Sequence, residues 1–271
     1  MFETILVPID GSAMSWQALG QAIEVAKREG DGGVLHGLYV IDSALVTTPY
    51  EFMLAEAFAA REYLENRGRE LLAEFAQRVT AAGLREETEI AEGDVGRTIC
   101  ERAKLADLVV LGREGIGATA DRLLFGSVFE AVVRHSPRPV LVSVGAARPV
   151  RRALLAYDGS ARAKDALEVV AAAARERGAG VTVLSVTEPG RVGPETLAAA
   201  TAYLREHRIE PALLMLPEEH PAAAILRTAE QRDVDLIALG GYGHGRFLEV
   251  LFGHTVDEVL RGATRPLLIC R

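Results

Sequence analysis

Short apolar runs alternate with amphipathic stretches along the whole chain. Thr4-Ile5-Leu6-Val7-Pro8-Ile9-Asp10 is apolar and partly β-branched and ends on an acid, the pattern of a buried strand. After Gly11-Ser12, Ala18, Leu19, Ala22, Ile23 and Ala26 recur at helical spacing up to Gly30. A second apolar run from Val34 to Ile41 ends at Asp42, and a loop with Thr47-Thr48-Pro49 leads into a long helical pattern from about Tyr50 to Ala82. Glu86 to Glu92 reads as a short strand, and Asp94 to Leu105 as a helix with Asp94 as its N-cap. A strand over 107–111, a helix from about Ser127 to Arg134 and a strand from Pro139 to Val144 complete the unit.

After a linker, Gly145-Ala146-Ala147-Arg148-Pro149, the pattern restarts. Ala153-Leu154-Leu155-Ala156-Tyr157-Asp158-Gly159-Ser160 repeats the opening strand with its Asp-Gly-Ser turn, and Pro266-Leu267-Leu268-Ile269-Cys270 repeats the closing strand. Between them fall helix 161–177, strand 181–186, helix 194–207, strand 212–216, helix 221–232 and strand 235–239. The spacing from Asp10 to Gly112 exceeds that from Asp158 to Gly240 by about twenty residues, which we place around 43–62. The expectation is an α/β chain of two tandem Rossmann-like domains, 1–147 and 148–271, each a parallel five-stranded sheet with helices on both faces. In such sheets ligands sit beyond the carboxyl ends of the strands, where strand order reverses.

Two glycine-rich stretches stand at those ends. Leu111-Gly112-Arg113-Glu114-Gly115 is followed after ten residues by Gly126-Ser127-Val128, and Leu239-Gly240-Gly241-Tyr242-Gly243 after nine by Gly253-His254-Thr255. A strand, a glycine-rich loop and a helix start in that order form an anion cradle, because the first amides of a helix lack intrahelical acceptors and lie at the positive end of its dipole. We therefore place helix starts at about Ser127, just after Gly126, and at Val256, shortly after Gly253, where Val256-Asp257-Glu258-Val259-Leu260 reads as a helix.

Composition narrows the function. A formal charge of −8 argues against nucleic acid as a partner. No apolar run approaches the roughly 18 residues that span a membrane, and Met1-Phe2-Glu3-Thr4 lacks a signal pattern, so the expected location is the cytoplasm. Cys100 and Cys270 read as small buried apolar residues. Neither a phosphate-binding loop of the G-x-x-x-x-G-K-[ST] type nor a G-x-S-x-G, H-E-x-x-H or C-x-x-C motif occurs.

The Asp-Gly-Ser turn after the first strand, G-x-x-G followed at a distance by Gly-Ser or Gly-His-Thr, and the closing Pro-Val-Leu-Val strand resemble the universal stress protein family over essentially the whole chain. That resemblance implies an ATP site in each domain. In the first, Pro8, Asp10 and Val40 would flank adenine and ribose, Leu111, Gly112 and Gly115 would line the ribose and phosphate path, and Gly126, Ser127 and Val128 would hold the phosphates. The matching residues in the second are Ala156, Asp158, Val186, Leu239, Gly240, Gly243, Gly253, His254 and Thr255. The first loop is one residue longer than the second, and His254 stands where the family carries Ser or Thr. The resemblance also implies that the closing strands, 140–144 and 267–270, pair with each other as in a pseudo-dimer, with a homodimer as a further level of assembly.

Each of these residues has a plainer explanation. The glycines could serve turn geometry alone, Asp10 and Asp158 could be N-caps or turn acids, and Ser127-x-x-Glu130 and Thr255-x-x-Glu258 fit capping boxes. His135 and His207 sit where helix carboxyl ends explain them. The leading functional reading is a nucleotide-dependent regulator. The alternatives are a slow Mg-dependent ATP hydrolase using Asp10 or Asp158, and an interaction module without nucleotide.

Overall fold

The structure, a computed structural model, describes residues 2–27, 33–46, 54–113, 126–187, 192–217, 220–241 and 249–271. The chain divides into two compact units, essentially 2–138 and 139–271.

In the first unit the elements run β1 (Thr4–Pro8), α1 (Ala13–Ala26), β2 (Val34–Asp42), α2 (Ser43–Val46), α3 (Leu54–Ala81), β3 (Arg85–Gly93), α4 (Val95–Ala103), β4 (Leu108–Gly112) and α5 (Ser127–His135). The strands are parallel in the order β3-β2-β1-β4. The chain steps outward from β1 to β2 and β3 and then returns to the other side of β1. With right-handed crossovers, that reversal puts α1 and α3 on one face and α4 on the other. Ile5, Leu6, Val7, Leu35, Leu38, Leu108, Val109 and Val110 are buried between the layers, with Leu19 and Ala22 of α1 and Phe75 and Val79 of α3.

The second unit contains β5 (Val140–Ser143), β6 (Arg152–Ala156), α6 (Ala161–Arg177), β7 (Gly180–Thr187), α7 (Pro194–Glu206), β8 (Ala212–Pro217), α8 (Pro221–Gln231), β9 (Leu236–Gly240), α9 (Glu249–Gly262) and β10 (Leu267–Cys270). Its order is β5-β10-β9-β6-β7-β8, parallel throughout except that β5 lies antiparallel to β10. Leu141 faces Leu268 there, and Val140 and Val142 face Ile269 and Leu267. The closing strands of the two repeats therefore pair with each other as expected, and β5 falls within the 139–271 unit.

Part of the twenty-residue surplus of the first repeat is visible as α2 and as the length of α3, which has 28 residues where α7 has 13. Asp94 caps α4 by accepting the Arg97 amide at 2.8 Å, as its position in the sequence suggests. No helix among the described residues is long and apolar enough to cross a membrane.

One polar device is built identically in both units. Asp107, just before β4, accepts the backbone amides of Glu3 and Thr4 on one oxygen, at 2.8 and 3.0 Å. Asp235, just before β9, accepts those of Arg151 and Arg152 at 3.0 and 2.9 Å. Each carboxylate satisfies the amides entering the first strand and so ties that strand to the one beside it. We expect Asp107→Ala and Asp235→Ala each to cost about 1–3 kcal/mol in urea unfolding. Asn at either position, which keeps an acceptor oxygen, should retain most of that stability.

Candidate functional site

The Asp-Gly-Ser sequence has one local structure in both units. Asp10 Oδ1 accepts the Ser12 amide at 2.9 Å, Gly11 supplies φ +85°, and Ser12 Oγ accepts the Ser15 amide at 3.1 Å as the N-cap of α1. In the second unit, Asp158 Oδ1 accepts the Ser160 amide at 3.0 Å, Gly159 has φ +79°, and Ser160 Oγ accepts the Ala163 amide at 3.2 Å. These acids are thus turn formers and not N-caps, since Ser12 and Ser160 hold the cap positions. The turn they form also holds the carboxylates at the carboxyl edge of β1 and β6.

Around that turn the first unit gathers most of its expected site. Pro8 ends β1 opposite Leu38, and Val40 stands two residues further along β2, both half-buried. Leu111 is buried and Gly112 ends β4 on the other side of β1. Gly115 lies outside the described residues. Gly112 faces the opening turn of α1: a Cβ there would lie 2.6 Å from the Met14 carbonyl oxygen and 2.7 Å from Met14 Cβ. Gly240 repeats the arrangement, its Cβ position 2.7 Å from the Arg162 carbonyl carbon and 2.8 Å from the Ala163 amide nitrogen. Neither turn geometry nor ligand access is needed to explain glycine at these two positions. Backbone packing against the first helix requires it.

Gly126 is different. It is the N-cap of α5 with φ −60° and ψ 142°, a conformation open to any residue, and a Cβ added to it would meet nothing within 4 Å among the described residues. Among the described residues no side chain caps the helix, and the Ser127-x-x-Glu130 capping box does not form. Ser127 is the first helical residue, one place too late to be the cap, and Glu130 binds Arg134 Nε at 2.9 Å instead of reaching back. Ser127 and Val128 are exposed. The first turn of α5 lies beside that of α4, since a Cβ on Gly96 would be 2.9 Å from Ala131 Cβ and 3.9 Å from Val128 Cα. Helix α4 leaves the carboxyl end of β3, so the open start of α5 belongs to that edge as well.

The second unit departs from expectation. Ala156 ends β6, Asp158 is exposed, Val186 is in β7, and Leu239 and Gly240 end β9, while Gly243 lies outside the described residues. Helix α9, however, begins at Glu249 and not after Gly253. Gly253, His254 and Thr255 lie within it, where backbone amides bond to carbonyls four residues earlier. Neither the expected helix start nor the Thr255 capping box exists here. The cause is the run Glu249-Val250-Leu251-Phe252, which extends the apolar pattern upstream of a glycine whose cost in a helix is only about 1 kcal/mol.

Arg67 escapes a reading by motif. Its Nη2 lies 3.3 Å from the point a Gly11 Cβ would occupy, against the turn that carries Asp10. Burial pushes the Tyr39 phenol upward, Arg67 draws it back down, and Tyr63 and Asp10 add to the rise, so these groups share one local field. Over Gly159 the corresponding neighbour is the Thr196 methyl, 3.3 Å from the Cβ position.

The remaining candidates have structural roles. His135 Nδ1 and His207 Nδ1 lie 2.9 and 2.8 Å from the carbonyl oxygens of Ala131 and Tyr203 in their own last turns. Burial pushes the Cys270 thiol up to about 12, while Cys100 is only half-buried. Among the described residues no three His, Cys, Asp or Glu side chains gather as a metal site. Concavities of about 310 and 550 Å³ open beside β2 and β3 under α3, and between α7 and β8. Neither is lined by the residues named for the nucleotide.

The model of the universal stress protein family matches residues 1–143 and again 149–271. The chain belongs to that family. A universal stress protein of Mycolicibacterium smegmatis is 30% identical over 292 aligned positions, covering 98% of this chain and 96% of that one. One from Methanocaldococcus jannaschii is 35% identical over 146, covering 52% of this chain and 82% of the relative. A Synechocystis universal stress protein is 29% identical over 169, of which this chain spans 58% of the length. The crystal structure of a universal stress protein from Archaeoglobus fulgidus superimposes with a TM-score of 0.79 at 23% identity, covering 99% of this chain and 98% of that one, a likeness of fold. Within this tandem member of the family, the two glycine classes predict opposite mutational outcomes. Gly112→Ala and Gly240→Ala should lower stability by about 1–3 kcal/mol in denaturant titration through overpacking, and Gly126→Ala should leave it within about 0.5 kcal/mol.

Proposed function

We propose that this universal stress protein binds an adenine nucleotide, ATP in the first instance, at the carboxyl edge of the 2–138 unit, and that occupancy biases its conformation or choice of partner in the cytoplasm. Pro8, Asp10 and Val40 would flank the nucleoside, and the amides of Ser127 and Val128 with the Ser127 hydroxyl would receive the phosphates. The observation that carries this reading is the start of α5: among the described residues, a glycine N-cap with room for an added atom, no side-chain cap, and two exposed residues behind it. The first amides of a helix have no acceptor within the helix and lie at the positive end of its dipole, the pairing a phosphate supplies.

In the second unit Ala156, Leu239 and Gly240 end their strands and Val186 lies in β7, but the amides at Gly253 to Thr255 are used within α9. We therefore assign one principal site per chain rather than two.

A thermal scan with ATP, ADP, AMP and GTP tests the reading. A ligand at 100 times its Kd stabilises by about 2.7 kcal/mol, equivalent to a rise of roughly 5 °C or more. Absence of a shift with every adenine nucleotide would remove it. Calorimetric titration with ATP should give a stoichiometry near one per chain, lost in Gly126→Ala while the fold persists. A stoichiometry of two would restore the second site.

A further inference from the structure

Against the turn carrying the site carboxylate stand two leucine methyls and a guanidinium in one unit, and an uncharged threonine in the other. We propose that Arg67 is the residue by which the 2–138 unit selects the charged form of its ligand, a phosphorylated nucleoside over the bare nucleoside. This inference rests on the reading that this edge binds an adenine nucleotide, and it adds a specificity determinant outside the glycine loops.

Three observations converge on Arg67. The first is position. Its guanidinium lies against the Asp10-Gly11-Ser12 turn, and the two Leu71 methyls, 3.0 and 3.2 Å from the Gly11 Cβ position, hold α3 there. Gly68 lets α3 settle on Tyr39, because a Cβ on it would be 2.5 Å from Tyr39 Cδ1. The backbone that carries Arg67 is therefore fixed while the charged end is not enclosed. The second is availability. The side chain is 46% exposed, and its contact with Glu70 is a long 3.4 Å between two well-exposed groups, an ion pair of little strength. A phosphate offers the planar fork a better partner than that carboxylate.

The third is electrostatic need. At −8 the chain repels anions at long range, so a polyphosphate ligand requires local positive charge at its site. The start of α5 supplies backbone dipole, and Arg67 supplies a full charge beside Asp10 from a different element. The same acid in the second unit has Thr196 in that place, which offers no charge.

Calorimetric titrations of the full chain with ATP and with adenosine test this. The wild-type protein should bind ATP more tightly. Arg67→Gln and Arg67→Met, which keep the length of the stem, should each lower ATP affinity about tenfold or more while changing adenosine affinity less than about threefold. Arg67→Lys should recover part of the preference. ATP binding within about twofold of wild type in both uncharged variants would overturn the inference. So would an equal loss for ATP and adenosine, since that would mark a packing role. If the wild-type protein binds neither ligand, both this inference and the nucleotide reading fall. If it binds both and the variants keep its preference, only the role of Arg67 falls.

Discussion

The first helix of each repeat comes down onto the end of that repeat's fourth strand with backbone against backbone. Met14 and Arg162 occupy the space where a side chain at Gly112 or Gly240 would have to stand. That contact depends on the strand order: only because β4 returns to lie beside β1, and β9 beside β6, does the helix leaving one strand cross the end of the other. The same crossing holds the Asp-Gly-Ser turn at the point of reversal. A parallel sheet buried on both faces has its accessible polar backbone at its strand ends, and in open α/β sheets the point of reversal is where ligands bind. Asp107 and Asp235 secure the opposite ends of the same strand pairs by taking up the entering amides.

On this shared frame the two repeats have become different objects. Both keep the turn acid, its glycine, the capping serine and the packed glycine. They differ in what surrounds that core. In the first repeat a helix starts at Ser127 with no side-chain cap among the described residues, and a guanidinium from the long α3 lies against the acid's turn. In the second repeat the last helix starts at Glu249, and a threonine methyl covers the turn. A duplicated fold needs its packing contacts twice. Ligand contacts can be kept in one copy and lost from the other at little cost to stability, because they contribute little to the core.

What the sequence made legible follows from how local each signal is. Strands over 4–8 and 152–156 are carried by apolar, largely branched or aliphatic residues, and the cap at Asp94 depends on a residue three positions away, whereas the caps at Ser12 and Ser160 emerged only from the structure. The pairing of β5 with β10 was readable through the resemblance to the family, because the closing strands are near copies of each other. Competition between local signals caused the misreadings. Glu130 fits a capping box as well as an ion pair with Arg134, and the ion pair forms. Gly253 looks like a helix boundary, yet Val250, Leu251 and Phe252 continue the pattern through it. The requirement for glycine at 112 and 240 involves helices far away in sequence, as does the placement of Arg67 over Gly11, so no spacing rule could have revealed either.

The central claim is that the amides opening α5 receive phosphate. Following backbone amide resonances of Ser127, Val128 and Phe129 during titration with ATP and then adenosine tests it most directly. The account predicts large shifts at these three amides with ATP and much smaller ones with adenosine, while the amides of Gly253 to Thr255 stay in place. Binding of ATP that leaves the start of α5 unperturbed would contradict it.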